Sequence, residues 1–275
     1  MPTCYIVGAG DFTPRGFAPV PGDLVLAADG GYRALCSLEY TPDLLLGDFD
    51  SLGDLPLPPD LPVLRFPARK DDTDTGLALR HGLDRGFRDF ALYGCAGGRV
   101  DHLLANLQSM ARVSRLGATI RLAAPEYDAW ALTGPAPDAP APATPDAPGA
   151  LVLHASAPHA SAPSTSAPHA SAPHASGPAP YAPDAPALHT SALHASAPGG
   201  PAATLTLPPR PGGTLVSVFC HGDRAEGVTL TGLAYPLSDA ALTGDFPLGV
   251  SNRRLEGRPA AVAVRRGTLL IFQGV

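Results

Sequence analysis

Two hydrophobic patterns alternate along the first half of the chain. Short apolar runs at 4–7, 24–27, 44–46, 63–66, 90–93, 119–122 and 129–132 are nearly continuous rather than alternating. That pattern predicts strands covered on both faces. Elsewhere the spacing is helical. Val100, Leu103, Leu104, Leu107 and Ala111 fall at i, i+3, i+4, i+7 and i+11, which predicts one apolar face of a helix over 100–115, stopped at Gly117. A shorter helix is predicted over 73–83, weakened by Gly76 and Gly82. Strand–helix alternation predicts a parallel α/β sheet of Rossmann-like type over residues 1–134.

The pattern changes twice more. Residues 135–203 carry the five-residue unit HASAP, with proline recurring at each repeat and almost no large apolar side chain. Proline at that spacing forbids a regular helix or central strand, and little burial is available to offset the entropy of ordering. The expectation is a long disordered Ala/Pro/His/Ser-rich insertion. Six of the nine histidines lie in it. They raise metal binding as one reading and a simple repeat expansion as the other. From residue 204 to 275 short strands return in "TLVSVF", "GVTLTGL" and "PAAVAVRRGTLLIF", with Arg265–Gly267 read as a hairpin connection. No convincing helix follows, so the end of the chain is expected to be an all-β sandwich domain.

Composition narrows the classes. Hydrophobic residues make up 45% and charged residues 16%, and the net charge of −6 provides no general attraction for nucleic acid or an anionic membrane. The start, MPTCYIVGAG, has no basic leader region, and no apolar run is long enough to span a bilayer. A cytoplasmic protein is expected. Cys4, Cys36, Cys95 and Cys220 form no CxxC pair and are read as reduced core residues.

The candidate chemistry lies in three acidic or glycine-rich clusters that follow predicted strands. In "LLLGDFDS", Asp48 and Asp50 would share one side of an extended segment. Two like charges at a strand end suit a hard cation such as Mg2+ that also carries phosphate oxygens. An Asx-turn capped by Asp50 or Ser51 is the structural alternative. In "RKDDTDTGLAL", Asp71, Asp72 and Asp74 stand beside Arg69 and Lys70, the chain's only lysine. Helix capping accounts for one or two of these acids, whereas a metal–phosphate site uses acids and bases together. In "LYGCAGGRVDHLLANL" a strand enters a glycine-rich turn at Gly97 and Gly98 and a helix leaves it, with Arg99 and Asp101 at the entry. Free amides and a forked guanidinium there suit phosphate; a capped helix with a solvated arginine is the alternative. The familiar loops are missing. No GxxxxGK[ST] occurs, and Thr13 stands where "GAGDFTPRG" would need its third glycine.

These clusters, preceded by "AADGGYRAL" and followed by "LGVSNRRL", together resemble the thiamine pyrophosphokinase (thiamine diphosphokinase) family. The matching stretches lie at 29–31, 47–51, 71–74, 97–102 and 249–252, on both sides of the insertion. The resemblance implies an N-terminal α/β domain, a C-terminal β-sandwich, and a homodimer whose active sites are shared between subunits. It implies transfer of pyrophosphate from ATP to the thiamine hydroxyl, releasing AMP. By the same resemblance Asp48, Asp50 and Asp74 surround Mg2+ with Asp71 nearby, and Lys70, Thr73, Arg99 and Asp101 lie along ATP. Asp29 lies near the substrate, and Ser251 and Asn252 hold thiamine. Either Asp50 or Asp74 would accept the hydroxyl proton.

Three residues depart from the family pattern. Gly76 stands where the family often has Glu or Gln, Arg253 where an acid is common, and Tyr235 where animal relatives carry tryptophan. Three other functions compete. One is a pyrophosphokinase acting on a pterin alcohol; the second is a non-catalytic thiamine or nucleotide sensor; the third makes the HASAP segment the main feature, a metal-buffering or adhesion tail on a degenerate enzyme. The loop containing Ser251 and Asn252 favours thiamine, and the full set of carboxylates favours catalysis.

Overall fold

The computed structural model describes residues 1–49, 52, 55–66, 72–135 and 202–275. The expected insertion therefore lies almost wholly outside the described residues. The first strands are β1 (Cys4–Val7), β2 (Leu24–Ala28), β3 (Leu44–Gly47) and β4 (Val63–Arg65), with helix α1 (Gly31–Ser37) after β2. Helix α2 (Asp74–Asp84), β5 (Asp89–Tyr93), α3 (Val100–Arg115), β6 (Thr119–Ala123) and β7 (Tyr127–Thr133) follow. After the insertion come β8 (Ala203–Thr206), β9 (Leu215–Thr231), β10 (Leu237–Thr243), β11 (Gly249–Arg253), β12 (Ala261–Val264) and β13 (Arg266–Gly274).

Strands β4-β3-β2-β1-β5-β6 pair in that order, all parallel. Their apolar runs are buried on both faces, except in β4, whose three residues are all exposed because it forms the sheet edge. One face packs under α2 and α3 through Ile6, Leu26, Leu92, Met110 and Leu122. The other buries Val7, Val25, Leu45 and Tyr93 beneath α1 and an aromatic group of Phe12, Phe17 and Tyr40. Burial pushes the Cys4 and Cys95 thiols up to about 12 and about 11. All four cysteines are free; Cys4 and Cys95 are core residues as expected, whereas Cys36 and Cys220 are only half-buried.

Strand β7 changes the character of the sheet. It pairs antiparallel with β6 on one side and with β13 on the other. Because side chains alternate along a strand, its Ala129 and Ala131 join the α/β core while Trp130 joins a second core with Val218, Leu230, Val262 and Ile271. The β-rich part is thus joined edge to edge to the parallel sheet.

Several expectations need correction. "TLVSVF" and "GVTLTGL" form one bulged strand, β9, rather than two. Its first half lies between β13 and β11, its second between β12 and β10. Residues 265–267 do not make a hairpin either. Strands β12 and β13 run on in one direction along β9, with a register shift at Arg266/Thr268. Gly222 (φ +108°), Gly227 (φ +67°) and Gly267 (φ +86°) adopt backbone that other residues rarely take, so these glycines mark bulges, not chain reversals. Helix α1 went unrecognised because it has seven residues and no side-chain cap. Helix α3 has the expected bounds, but Val100 and Leu104 are exposed. Its buried face starts lower, at Asn106, Leu107, Met110 and Ala111.

Asp128 on β7 is 1% exposed and receives three arginines. Arg15 reaches its Oδ2 at 2.8 Å, Arg121 its Oδ1 at 2.8 Å and Arg210 its Oδ2 at 3.2 Å. Removing one partner from a buried charge network leaves the others uncompensated. Asp128→Ala is therefore expected to cost about 3–5 kcal/mol of stability, read from the denaturant midpoint. A change below roughly 1 kcal/mol would show that solvent satisfies the three guanidiniums.

Candidate active site

Strand order reverses between β1 and β5, with β2, β3 and β4 on one side and β6 on the other. In parallel α/β sheets, ligands bind in the crevice outside the strand carboxyl ends at such a point. The loops there are packed backbone to backbone. Gly10 N donates to Gly94 O at 2.7 Å, and Asp11 N to Ala96 O at 2.8 Å. A Cβ at Gly10 would lie 2.3 Å from Ala96 O, so only glycine permits this approach. The Asp11 carboxylate lies against Gly97, where a Cβ would meet Oδ2 at 2.0 Å. Asp11 was not singled out in the sequence. Its signal was an acid placed directly after the glycines that close β1.

The next two loops are also interlocked. Asp29 follows β2, and its amide donates to Leu46 O at 2.8 Å. A Cβ on Gly47 (φ +149°) would lie 3.0 Å from Asp29 Cβ. Asp48 follows at the end of β3, then Phe49, whose ring lies under the Arg65 guanidinium at 4.7 Å. Phe49 has φ +68°, so the chain turns there. The backbone is therefore not extended at Phe49, contrary to the expectation from the sequence, and Asp50, with its expected placement on the same side as Asp48, lies outside the described residues. Among the described residues, five non-glycine residues have positive φ, and three of them, Asp29, Phe49 and Ser251, fall in or beside the quoted motifs. Left-handed backbone at such residues is unfavourable and concentrates at functional sites.

After β4, Lys70 and Asp71 lie outside the described residues. Thr73 caps α2 by accepting the Gly76 amide at 3.0 Å, and Asp74 is the first helical residue. Asp72 accepts the Thr73 amide at 2.9 Å and pairs with Arg80. After β5, Arg99 grips Asp101 with both arms, at 3.1 and 2.5 Å, at the start of α3. This exposed pair holds the Asp101 carboxyl below its ordinary range and raises Arg99. A phosphate that takes the guanidinium must compete with that carboxylate.

The topology thus gathers Asp29, Asp48, Thr73, Asp74, Arg99 and Asp101 at one edge of the sheet, on loops after β2, β3, β4 and β5. Among the described residues, no three His, Cys, Asp or Glu side chains form a metal-binding group. The hard oxygen donors after β3 and before α2 are of the type that Mg2+ prefers.

Ser251 and Asn252 are not brought to this edge. They lie on β11, at the opposite end of the sheet from β4. Asn252 is buried, and its side-chain amide makes three hydrogen bonds. Nδ2 donates to Tyr235 O at 2.7 Å, while Oδ1 accepts from Tyr235 N at 3.0 Å and Arg253 N at 2.9 Å. It pins the loop carrying Tyr235, which is exposed, as is Ser251. Asn252→Ala would strand those backbone groups and is expected to cost about 1–3 kcal/mol. Ser251→Ala should leave the thermal midpoint nearly unchanged, and equal midpoints for both variants would contradict this division of roles.

The fold is that of an α/β protein with acidic residues on the loops at its strand carboxyl ends, joined to an all-β part. Comparison with known proteins makes the class specific. A family model described as "Thiamin pyrophosphokinase, catalytic domain" matches residues 21–122, and "Thiamin pyrophosphokinase, vitamin B1 binding domain" matches residues 203–269. The chain belongs to the thiamin pyrophosphokinase family. A thiamine pyrophosphokinase of Bacillus subtilis is 32% identical over 103 residues, or 36% of this chain and 48% of the relative. That aligned stretch spans about half the relative's length. The crystal structure of a Bacillus subtilis thiamine pyrophosphokinase has a TM-score of 0.66 at 18% identity, covering 99% of both chains. A Geobacillus thermodenitrificans thiamin pyrophosphokinase gives 0.63 at 18%, covering 99% of this chain and 97% of its own. One from Candida albicans gives 0.60 at 10%, covering 100% and 89%. At these identities the structures establish the shared fold. No helix among the described residues is long and apolar enough to cross a membrane.

Proposed function

We propose that the protein is a cytoplasmic thiamine diphosphokinase that transfers the pyrophosphoryl group of ATP to the thiamine hydroxyl. The observation that carries this reading is the match of one family's two parts, in order, to the two parts of this chain. The catalytic match covers the acidic loops after β2, β3 and β4; the vitamin B1 match covers β8 to β12. In this reading residues 1–134 bind ATP and residues 204–275 bind thiamine, with residues 135–203 inserted between them.

The chemistry follows from charge and position. Asp48 and Asp74, with Asp50 and Asp71, hold Mg2+, which neutralises the polyphosphate when bound. Lys70, Thr73, Arg99 and Asp101 align ATP, and Asp29 faces the thiamine end. The thiamine hydroxyl oxygen bonds to the β-phosphorus as the bond to the AMP oxygen breaks. The hydroxyl proton passes to Asp50 or Asp74. Ser251 meets thiamine, whereas Asn252 sets the loop that presents it. AMP release that requires thiamine, ATP and Mg2+ together is the direct test, and a pterin alcohol should not replace thiamine. Asp48→Asn should lower turnover by about 100-fold or more at unchanged thermal midpoint. Near-normal turnover in that variant would remove Asp48 from the site.

The topology also supports a homodimer with shared sites. The path from β3 to β11 runs through β2, β1, β5, β6, β7, β13 and β9. At about 4.8 Å per strand step this separates Asp48 from Ser251 by roughly 38 Å along the sheet, far beyond the reach of one thiamine. In this reading a site using both residues draws them from two chains. Asp48→Asn chains mixed with Ser251→Trp chains, each inactive alone, should regain up to about a quarter of wild-type activity after subunit exchange. No recovery despite proven exchange would place the site within one chain.

A further inference from the structure

Gly76 departs from the family pattern, and its surroundings suggest why. Asp72 immediately precedes Thr73, the N-cap of α2, and its side chain folds back over the first helical turn. Oδ1 accepts the Thr73 amide at 2.9 Å, and Oδ2 is held by Arg80. The two charged residues are eight positions apart, so the ion pair spans about two turns of helix. It is only partly exposed, with side-chain accessibilities of 35% for Arg80 and 26% for Asp72. The carboxylate passes directly over Gly76. A Cβ there would lie 2.0 Å from Asp72 Oδ1 and 2.8 Å from its Cγ. Any side chain at position 76 would therefore displace the carboxylate.

Asp72, Gly76 and Arg80 thus form one unit strapped across the start of α2, where Thr73 is the N-cap and Asp74 the first helical residue. Thr73 is fixed twice, by its own cap to the Gly76 amide and by its amide to Asp72. We infer that Asp72 and Arg80 are positioning residues that hold Thr73 and Asp74, at the start of α2, in the geometry that receives metal-bound nucleotide, and that Gly76 is the gap that lets them do so. The inference rests on the proposed pyrophosphokinase reading for the identity of the ligand. Neither residue needs to touch ATP. Binding residues fixed before the ligand arrives lose less conformational freedom on binding, so the strap at Thr73 and Asp74 should appear as nucleotide and metal affinity.

The test uses the full chain in seven forms: wild type, Asp72→Ala, Arg80→Ala, Asp72→Ala/Arg80→Ala, Arg80→Lys, Gly76→Ala and Asp72→Ala/Gly76→Ala. Each is titrated calorimetrically with ATP in the presence of Mg2+ and without thiamine, then assayed for AMP release over a range of Mg2+ concentrations. Both single variants are expected to weaken nucleotide binding and raise the half-saturating Mg2+ by about tenfold, with a smaller change in turnover at saturation. The double variant should be no worse than either single one, because the residues act as a pair. Arg80→Lys should recover part of the loss. Gly76→Ala should reproduce the Arg80→Ala defect in the wild-type background and add nothing to Asp72→Ala.

Unchanged ATP affinity and Mg2+ dependence in the single variants would overturn the inference. So would additive losses in the double variant, or losses that follow only the fall in thermal midpoint. Failure of wild type to release AMP would instead count against the proposed activity, and the calorimetric comparison would still decide the strap.

Discussion

The buried carboxylate of Asp128 is the interaction on which the assembly of the two halves depends. It lies on β7, the strand that turns a parallel sheet into an antiparallel one. Its arginine partners come from the loop after β1, from β6, and from the segment between β8 and β9. Burying a lone carboxylate is costly, and three guanidiniums offset that cost only when all these segments are in place. Arg210 arrives from beyond the long insertion, so the carboxylate links chain that is distant in sequence. Around it, β7 sends alternate side chains into two cores, with Trp130 on one face and Ala129 and Ala131 on the other.

A second constraint shapes the crevice. The loops after β1 and β5 approach so closely that glycine is required where each meets the other's backbone. This brings strand ends together with little side-chain bulk between them. Acids then stand on successive loops, and left-handed backbone at Asp29 and Phe49 turns the chain where those loops begin. Arg99–Asp101 and Asp72–Arg80 are local ion pairs at the starts of the two helices. The first is exposed and exchangeable; the second is tied to the helix by a backbone hydrogen bond. Similar residue types therefore do different work in neighbouring loops.

The all-β part depends on a single strand. The 17 residues of β9 pair with β11, β13, β12 and β10 along their length. All these pairings are antiparallel, and the bulges shift their register without ending the strand. The result carries Ser251 to the far end of the sheet from the acidic loops, and the proposed sharing of sites between chains follows from that separation.

Much of this was legible in the sequence because it rests on local rules. Continuous apolar runs marked the parallel strands, the helical spacing and Gly117 set the bounds of α3, and Thr73 announced the start of α2. The acidic and glycine-rich motifs revealed the candidate site for a similar reason: each is a short segment whose residue types carry its chemistry. What remained hidden depends on partners distant along the chain. Nothing local distinguishes a glycine that bends a strand from one that reverses it, so β9 was read as two strands and residues 265–267 as a hairpin. Nor did the sequence show that Asn252 spends its amide on Tyr235, that Asp11 lies against Gly97, or that Asp72 needs the gap at Gly76. Sequence alone determined the pattern of burial and the supply of reactive groups. Tertiary structure decided which groups meet, because hydrogen-bond partners and close packing are settled only when separate loops arrive at the same place.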